Sequence, residues 1–361
     1  MQIAKCKSQN DRQRFATTSY LSLFSSSILH FSICTLHFEF RLFVYALTAY
    51  LGSAQAAQAV TLEKVRLAIP TVAVMYAPIY LGLNEGLFAA EGLDLEISAM
   101  RTDLSIAALG TGEIDFIAHG GAALRAAAQG FPLKLVFALD HKAPFWLVSR
   151  PEIENIKMLK GKKIGVSFPG DTPQLVLKRF LRRQGIDPDR EVSYVSGQFS
   201  PTAFQSLMNG VLDGAVLAPP FNVLAEEKGL RTLAFLGAAV PDATTSNGIV
   251  TSDRKIKSQP DQVRRMVRAS LKSLLNFRQK RTAAIELLSS QFDISRRTAT
   301  RVYGYALEIL TPDGEISKEK VRNILGMMQE SGQKNPVVLQ PEAVLDFSFL
   351  KEAQRELRNG R

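Results

Sequence analysis

The chain has few of the residues that support cysteine or histidine chemistry. Only two of its 361 residues are cysteines, Cys6 and Cys34, and both precede residue 57. Of the four histidines, only His119 and His141 lie beyond that point. Everything after the first 56 residues therefore lacks a disulfide, a cysteine zinc site and a cysteine nucleophile. Two isolated histidines are also too few for a histidine metal site, so we predict neither a metal nor a cofactor.

The common enzyme motifs are missing as well. The sequence has no G-x-x-x-x-G-K-[ST], no G-x-G-x-x-G and no H-E-x-x-H. Residues 165–169, Gly-Val-Ser-Phe-Pro, lack the second glycine of a nucleophile elbow. We therefore predict no catalytic residues and a protein that is not an enzyme.

Positive charge is in excess but is not concentrated in one motif. The net charge is +10, of which +3 falls within residues 1–56. Basic clusters occur only on the late helical segments, at 264–268 and 278–281, and we interpret them as solvated helix faces. Since no nucleic-acid-binding motif accompanies the charge, we predict no nucleic-acid partner. The length permits two domains with substantial cores.

Residues 1–56 differ from the rest and are typical of a leader. Arg41 precedes a ten-residue, mostly apolar run, 42–51, which is followed by Ser-Ala-Gln-Ala-Ala-Gln-Ala at 53–59. A positive residue, a short apolar core and an A-x-A site form the secretory signal pattern, with cleavage after Ala56 or Ala59. The predicted location is periplasmic. The apolar run is short for a membrane span; the alternative is an uncleaved anchor.

The clearest structural pattern lies between residues 65 and 97. Val65–Ile69 predicts a strand, and Pro78 marks the first turn of a helix whose apolar residues continue to Phe88. Gly92 ends this unit, and residues 93–97 alternate as a second strand. Parallel strands need such a helical crossover, so this is a βαβ unit. The same order recurs along the chain, which predicts two α/β lobes and a helical tail.

Breaks in this pattern predict the domain organisation. We assign residues 1–56 to the leader, 57–149 to the first part of lobe 1, 150–242 to lobe 2 and 243–361 to the return into lobe 1 and the C-terminal helices. In open α/β sheets, ligands bind beyond the carboxyl ends of the strands, near helix N-termini. The loops in such positions are 71–77, 100–103, 119–122, 168–172, 198–201 and 218–221. If the lobes face each other, these loops line one cleft.

Individual residues in these segments have competing interpretations. Asp103 is predicted to cap a helix over 104–109. His119, in a strand-to-helix turn, is either a polar turn residue or a ligand or base. Asp171, beside Thr172 and Pro173, is predicted to cap a helix whose first turn would offer N–H groups to an anion. Trp146 is predicted to pack in the core or hinge rather than to serve as a stacking platform.

Three passages resemble a known family. They are APIYLGLNEGLFAAEGLDLE at 77–96, ALGTGEIDF at 108–116 followed by GFPLKLV at 130–136, and LKGKKIGV at 159–166 followed by GVLDGA at 210–215. In this order and spacing, they resemble the periplasmic solute-binding components of ABC importers for nitrate, alkanesulfonates, taurine and thiamine-pyrimidine precursors. The resemblance covers residues 65–250.

The resemblance implies a two-lobed periplasmic-binding-protein fold, α/β in class, with a ligand cleft between the lobes and a helical C-terminal region. It also implies a monomer that delivers a small anionic or aromatic organic ligand to the permease and ATPase subunits of an ABC importer. By position, the ligand contacts of the family fall on Thr71, Tyr76, Thr102, His119, Gly120, Gly170, Asp171, Thr172 and Pro219.

Two alternatives remain open. The family is similar to a fungal enzyme that makes the thiamine pyrimidine, but that enzyme has a cysteine-rich segment and no cysteine follows Cys34 here. A ligand sensor tethered by an uncleaved leader is the other alternative. Within the binding-protein hypothesis, Ala218-Pro-Pro and the nonpolar segment 72–75 favour a less polar, aromatic ligand.

We expect the leader to be removed on export. N-terminal sequencing of the exported protein should find a start directly after Ala56 or Ala59, because signal peptidase cuts after small residues at this spacing. A mature chain that retains residues before position 56 would contradict cleavage and favour the tethered alternative.

Overall fold

Two five-stranded sheets form the framework of the computed structural model, which describes residues 61–127, 129–243, 247–330 and 340–360. These residues belong to one unit, Thr61–Arg361. The predictions for the leader, residues 1–56, lie outside the described residues. No helix in the described part of the chain is long and apolar enough to cross a membrane.

The first sheet has the strand order β2-β1-β3-β10-β4. Strand β1 pairs in parallel with β2 and β3, as the predicted βαβ unit requires. Strand β10 returns from the other sheet and is antiparallel to both β3 and β4. The strands are β1 (Glu63–Ile69), β2 (Leu93–Ala99), β3 (Phe116–Ile117), β4 (Leu133–Ala138) and β10 (Gly248–Ser252).

The second sheet repeats this arrangement with the order β7-β6-β8-β5-β9. Strand β6 is parallel to β7 and β8, whereas β5 is antiparallel to β8 and β9. The strands are β5 (Trp146–Ser149), β6 (Lys163–Gly165), β7 (Ser193–Val195), β8 (Gly214–Leu217) and β9 (Arg231–Phe235). Each sheet thus receives its antiparallel strand from a segment that crosses from the other sheet.

Helices connect the strands, and the C-terminal region is helical, as predicted. The helices of the first half are α1 (Ala77–Asn84), α2 (Leu87–Ala90), α3 (Thr102–Thr111), α4 (Gly120–Ala127), α5 (Thr172–Arg183), α6 (Ser200–Met208), α7 (Phe221–Glu227) and α8 (Leu236–Ala239). Those that follow β10 are α9 (Asp253–Ser258), α10 (Pro260–Gln279), α11 (Arg281–Phe292), α12 (Arg296–Ile309), α13 (Lys318–Glu330), α14 (Pro341–Val344) and α15 (Ser348–Arg358). Short 3-10 turns lie at Val74–Tyr76 and Ile156–Leu159.

Strand β5 differs from the prediction, which placed residues up to 149 in the first lobe. It belongs to the second sheet, so the first crossing between sheets precedes Trp146. It pairs antiparallel with β8 and β9, and the buried Trp146 side chain adds a stacking contact with Phe235 of β9, with ring centroids 4.3 Å apart. Tyr305 of α12 covers it at 4.9 Å. The predicted packing role of Trp146 is confirmed.

Two helix predictions need correction. The helix starting near Pro78 does not run on to Phe88, because Gly86 adopts φ 70° and separates α1 from α2. Near the C-terminus, α14 and α15 are separated where Leu345 bridges to Leu135. Asp103 does not cap α3; it lies in the first turn and pairs with the Arg101 side chain at 2.8 Å.

Helix α10 buries one apolar face, which includes Val263, Met266 and Leu274. Its basic residues are not simply solvated, as the sequence had suggested. Arg268 pairs with Glu91 at 2.9 Å and with Glu356 at 2.6 Å, so it ties α10 to the turn after α2 and to α15. The ion pairs arise because charges distant in sequence meet around one amphipathic helix.

The close pairing of β4 and β10 leaves no room for a side chain at Gly248. We expect Gly248→Ala to lower the free energy of unfolding by about 3 kcal/mol, because the new Cβ would overlap the Phe137 carbonyl oxygen and lie 2.8 Å from the Ala138 Cα. Urea unfolding followed by circular dichroism measures this difference.

The matched control is Gly304→Ala. Gly304 is exposed within α12, and a Cβ there would meet nothing within 4 Å. Alanine should therefore raise stability by about 0.5–1 kcal/mol through helix propensity. Equal stability of the two variants would contradict the steric account of Gly248.

Candidate functional site

A cavity of about 1000 Å³ lies between the loops that follow the parallel strands of both sheets. Its walls come from the segments after β1, β2 and β3 on one side and after β6, β7 and β8 on the other. These are the carboxyl ends of the strands, where open α/β sheets bind ligands. The six loops identified in the sequence therefore all contribute to one space.

Eight of the nine residues predicted to contact a ligand line this cavity. They are Thr71, Tyr76, Thr102, His119, Gly170, Asp171, Thr172 and Pro219. Gly120 is the exception, since it begins α4 beside His119 but does not border the space. Binding by the eight stays a prediction, which their position in one cavity makes sterically feasible.

The turn before α5 is built differently from the expected anion site. The Asp171 carboxylate caps the helix, as predicted, by accepting a hydrogen bond from the Gln174 N–H at 3.1 Å. It also accepts from the Phe168 N–H and from the Ser167 hydroxyl. The Gly170 N–H donates to the Gln174 side chain at 2.6 Å. Three N–H groups of this turn are thus already used by the chain itself.

The Asp171 carboxylate adds a negative charge at the same place. Burial raises its pKa, while the hydrogen bonds from Ser167, Gln174 and Phe168 and the charge of Arg125 act in the opposite direction. A carboxylate at a helix N-terminus satisfies the helix dipole internally. The turn is therefore poorly suited to bind an external anion.

Arg125 also lines the cavity and was missed by the sequence reasoning. It lies on α4 and, among the described residues that line the cavity, is the only lysine or arginine. Its Nη1 is buried and finds no hydrogen-bond partner among the described residues. Burial lowers the pKa of the guanidinium, and the nearby Asp171 charge raises it. The sequence feature that could have identified Arg125 is the presence of an arginine within the Ala-rich segment 122–128.

His119 occupies the turn between β3 and α4, beside Thr102. The Thr102 Oγ1 and the His119 Nδ1 are 3.0 Å apart, a hydrogen-bond distance. Burial, followed by the charge of Arg125, lowers the pKa of His119 to about 4. The imidazole is therefore neutral at physiological pH and contributes a polar contact rather than a charge.

Aromatic side chains form much of the remaining wall. Phe168 and Phe199 come from two different loops of the second sheet, and their ring centroids lie 5.0 Å apart at an interplanar angle of 82°. Four further aromatic residues line the cavity: Tyr76, Phe145, Phe221 and Phe292. Gln291, Phe292 and Asp293 come from the end of α11, a C-terminal helix that sequence reasoning did not connect with the site.

A buried polar network links the cavity to the segments that cross between the sheets. Asp140 follows β4 on the first crossing, and Asn247 precedes β10 on the return. The Asn247 side-chain amide donates to the Asp140 carboxylate at 2.8 Å, and the Tyr76 hydroxyl donates to the Asn247 Oδ1 at 3.4 Å. Tyr76 and Asn247 both line the cavity, so a ligand there contacts the network directly.

In the described residues, no group of three or more histidine, cysteine, aspartate or glutamate side chains is positioned to hold a metal ion. What the cavity does offer is one cation, several hydrogen-bonding groups and an extensive aromatic surface. This combination suits recognition of an organic molecule that carries a negative charge.

Two open sheets that share one cavity at their strand ends form the periplasmic-binding-protein fold, the fold of solute-binding components of ABC importers. The chain belongs to the NMT1/THI5-like family, whose sequence model matches residues 74–283. The resemblance noted in the sequence is thereby confirmed.

Two relatives show where the similarity lies. YtlA of Bacillus subtilis, assigned as a binding protein, is 27% identical over 176 residues, which are 47% of this chain and 53% of that protein. The riboflavin-binding protein RibY of Chloroflexus aurantiacus is 28% identical over 222 residues, which are 59% of this chain and 62% of that protein. The chain thus matches between half and two thirds of the length of these relatives.

Solved structures share the fold at low sequence identity. The periplasmic sulfonate-binding protein SsuA of Methylobacillus flagellatus superposes with a TM-score of 0.67 at 20% identity, over 82% of this chain and 96% of that one. The desulfurization enzyme DSZB superposes with a TM-score of 0.60 at 14% identity, over 83% of this chain and all of that one. At these identities the likeness establishes the fold alone.

The lowered pKa of His119 predicts a pH dependence of stability. Between pH 6.5 and about 4 the unfolded chain protonates this residue while the folded protein does not. Because the unfolded state binds more protons in this range, the free energy of unfolding decreases as the pH is lowered. We expect the free energy of unfolding to decrease by about 2 kcal/mol less in His119→Asn than in the parent protein when the pH is lowered from 7.5 to 4.5.

Urea unfolding at a series of pH values measures this effect. The slope that remains in His119→Asn reports the other titrating groups, including His141, whose pKa burial also lowers. Identical pH profiles for the variant and the parent protein would show that His119 is not held in its neutral form by the fold.

Proposed function

We propose that this protein is an extracytoplasmic solute-binding protein that holds a small organic anion in the cavity and delivers it to the permease and ATPase subunits of an ABC importer. The protein binds its ligand without converting it. The predicted cleaved leader places it in the periplasm, where such a component captures the solute before import.

Arg125 is the observation that supports an anionic ligand. A guanidinium that is partly withdrawn from water is costly unless an anion or hydrogen-bond acceptors compensate it. The charge of Asp171 acts on the Arg125 guanidinium, but the buried Nη1 of Arg125 has no hydrogen-bond partner among the described residues. Asp171 instead receives hydrogen bonds from its own turn. A carboxylate or sulfonate of the ligand would complete the guanidinium's contacts with charge-assisted hydrogen bonds.

The relatives support a binding role and suggest its chemical range. RibY is a riboflavin-binding protein and SsuA a sulfonate-binding protein, so this fold accommodates both ring systems and anionic groups. Both classes are compatible with a cavity that has one cation and six aromatic residues. The eight predicted contact residues, with Arg125 added, are the proposed ligand-binding set.

The enzyme alternative has less support. DSZB shares the fold at 14% identity, which carries no activity over to this chain. The pyrimidine-forming enzyme similar to this family carries a cysteine-rich segment, and this chain has no cysteine after Cys34. The proposal therefore keeps His119 as a hydrogen-bonding contact rather than as a catalytic base.

The proposal predicts that anions stabilise the protein and that Arg125 is required. In a thermal-shift screen of taurine, hexanesulfonate, benzoate, benzenesulfonate, nitrate and flavin mononucleotide, at least one anion should raise Tm, whereas its uncharged amide or dephosphorylated analogue should do so weakly. Arg125→Met should weaken binding of that anion roughly 10- to 100-fold by calorimetry, because a charge-assisted hydrogen bond is lost.

Lys228→Met is the matched control, because Lys228 is exposed and does not border the cavity. It should leave the affinity unchanged. Equal affinity of Arg125→Met and the parent protein would refute the anion site. Release of a chemically altered ligand after incubation would refute the binding role itself.

A further inference from the structure

The uncharged residues of the cavity wall narrow the class of ligand further than the proposed anionic group alone. We infer that the ligand is a planar aromatic monoanion, with its anionic group at Arg125 and its ring system against the Phe168–Phe199 pair. This inference rests on the proposed function and specifies the substrate class of the same site.

Phe168 and Phe199 leave large apolar surfaces exposed. Phe168 is 55% exposed and Phe199 is 48% exposed, although both lie in the cavity wall rather than on an outer face. Keeping two phenyl rings in water is unfavourable by roughly 25 cal/mol per Å² of apolar area. A ligand that covers them recovers this free energy, so the pair forms an apolar binding surface in the unliganded protein.

The arrangement of the two rings favours a flat ligand. Their edge-to-face geometry, with centroids 5.0 Å apart, leaves a ring face without an aromatic partner in the pair. A third aromatic ring stacks on such a face with its centroid at a similar distance, whereas an aliphatic chain gains only apolar contact. Val72, 45% exposed, presents a nonpolar side chain from the loop after β1 on the other wall.

The size of the space supports the same conclusion. A volume of about 1000 Å³ is at the upper end of the range for sites that hold drug-sized ligands. Nitrate or taurine would leave most of it filled with water against six aromatic side chains. A ligand with one or more rings would displace that water.

The charges along the wall set the ligand's charge. Besides Arg125, the wall carries two carboxylates, Asp293 and Asp171, and the charge of Asp171 acts on Arg125. A polyanion would meet repulsion from both, while a single carboxylate or sulfonate can be placed at the guanidinium. The wall therefore selects one negative charge on an otherwise neutral ring system.

Matched sulfonates test this inference by calorimetry on the full-length protein. We expect 2-naphthalenesulfonate to bind at least tenfold more tightly than decahydronaphthalene-2-sulfonate, its saturated counterpart, and 2-naphthalenesulfonamide, which lacks the charge, to bind at least tenfold more weakly than the sulfonate. The Phe168→Ala/Phe199→Ala double variant should reduce the aromatic-to-aliphatic ratio to near one.

A double variant of Met208→Ala and Val211→Ala controls for loss of exposed apolar surface. Both residues lie between strands β7 and β8 of the second sheet. Met208 is 43% exposed and Val211 is 59% exposed, but neither borders the cavity. This control should keep the ratio intact, and both double variants should retain the parent's Tm because all four side chains are exposed.

The outcomes separate the two proposals. Equal binding of aromatic and aliphatic sulfonates, or an unchanged ratio in the phenylalanine variant, would overturn the aromatic inference and leave the anion-binding function standing. A failure of every sulfonate and carboxylate to bind would overturn both. Tighter binding of the neutral sulfonamide than of the sulfonate would refute the anionic requirement while retaining the aromatic surface.

Discussion

The buried contact between Asp140 and Asn247 joins the two segments that cross between the sheets. Each residue lies on one of the two segments that cross between the sheets, and both side chains are almost inaccessible to water. The Leu139 N–H also donates to the Asn247 carbonyl at 2.7 Å. Separating a buried carboxylate from its hydrogen-bond donors costs free energy, so this contact helps to hold the two crossing segments together. Tyr76 connects this contact to the cavity, which gives a bound ligand a physical route to the crossings.

The electrostatics of the cavity follow from how the chain satisfies its own polar groups. The Asp171 carboxylate caps α5, and the N–H groups around it donate hydrogen bonds to side chains of the same turn. His119 is neutral because burial and Arg125 both oppose its protonation. Arg125 is therefore the positive group left for a ligand among the residues that line the space. The proposed anion preference therefore rests on a polar group that the fold leaves unsatisfied and not on a recognisable anion-binding motif.

Several features could be predicted from the sequence because they depend on local physics. The β1–α1–β2 unit follows from alternation, proline placement and Gly92, and the Asp171 cap follows from residues adjacent in the chain. The six loops could be placed because strand ends are local features. Arg125 could not be identified, since it sits within a helix and its role depends on burial. The α11 residues at 291–293 and the change of sheet at Trp146 both require contacts between distant segments.

By itself, the sequence determined the class of the protein: the order of strands and helices, the family passages, and the absence of cysteine and of enzyme motifs beyond the leader. These follow from periodicity and residue type, which act over a few neighbours. Only the tertiary structure decided which charge faces the cavity, which N–H groups are already used and which aromatic rings remain exposed. Those properties depend on burial and on pairs far apart in sequence, such as Tyr76 with Asn247, and no local pattern encodes them.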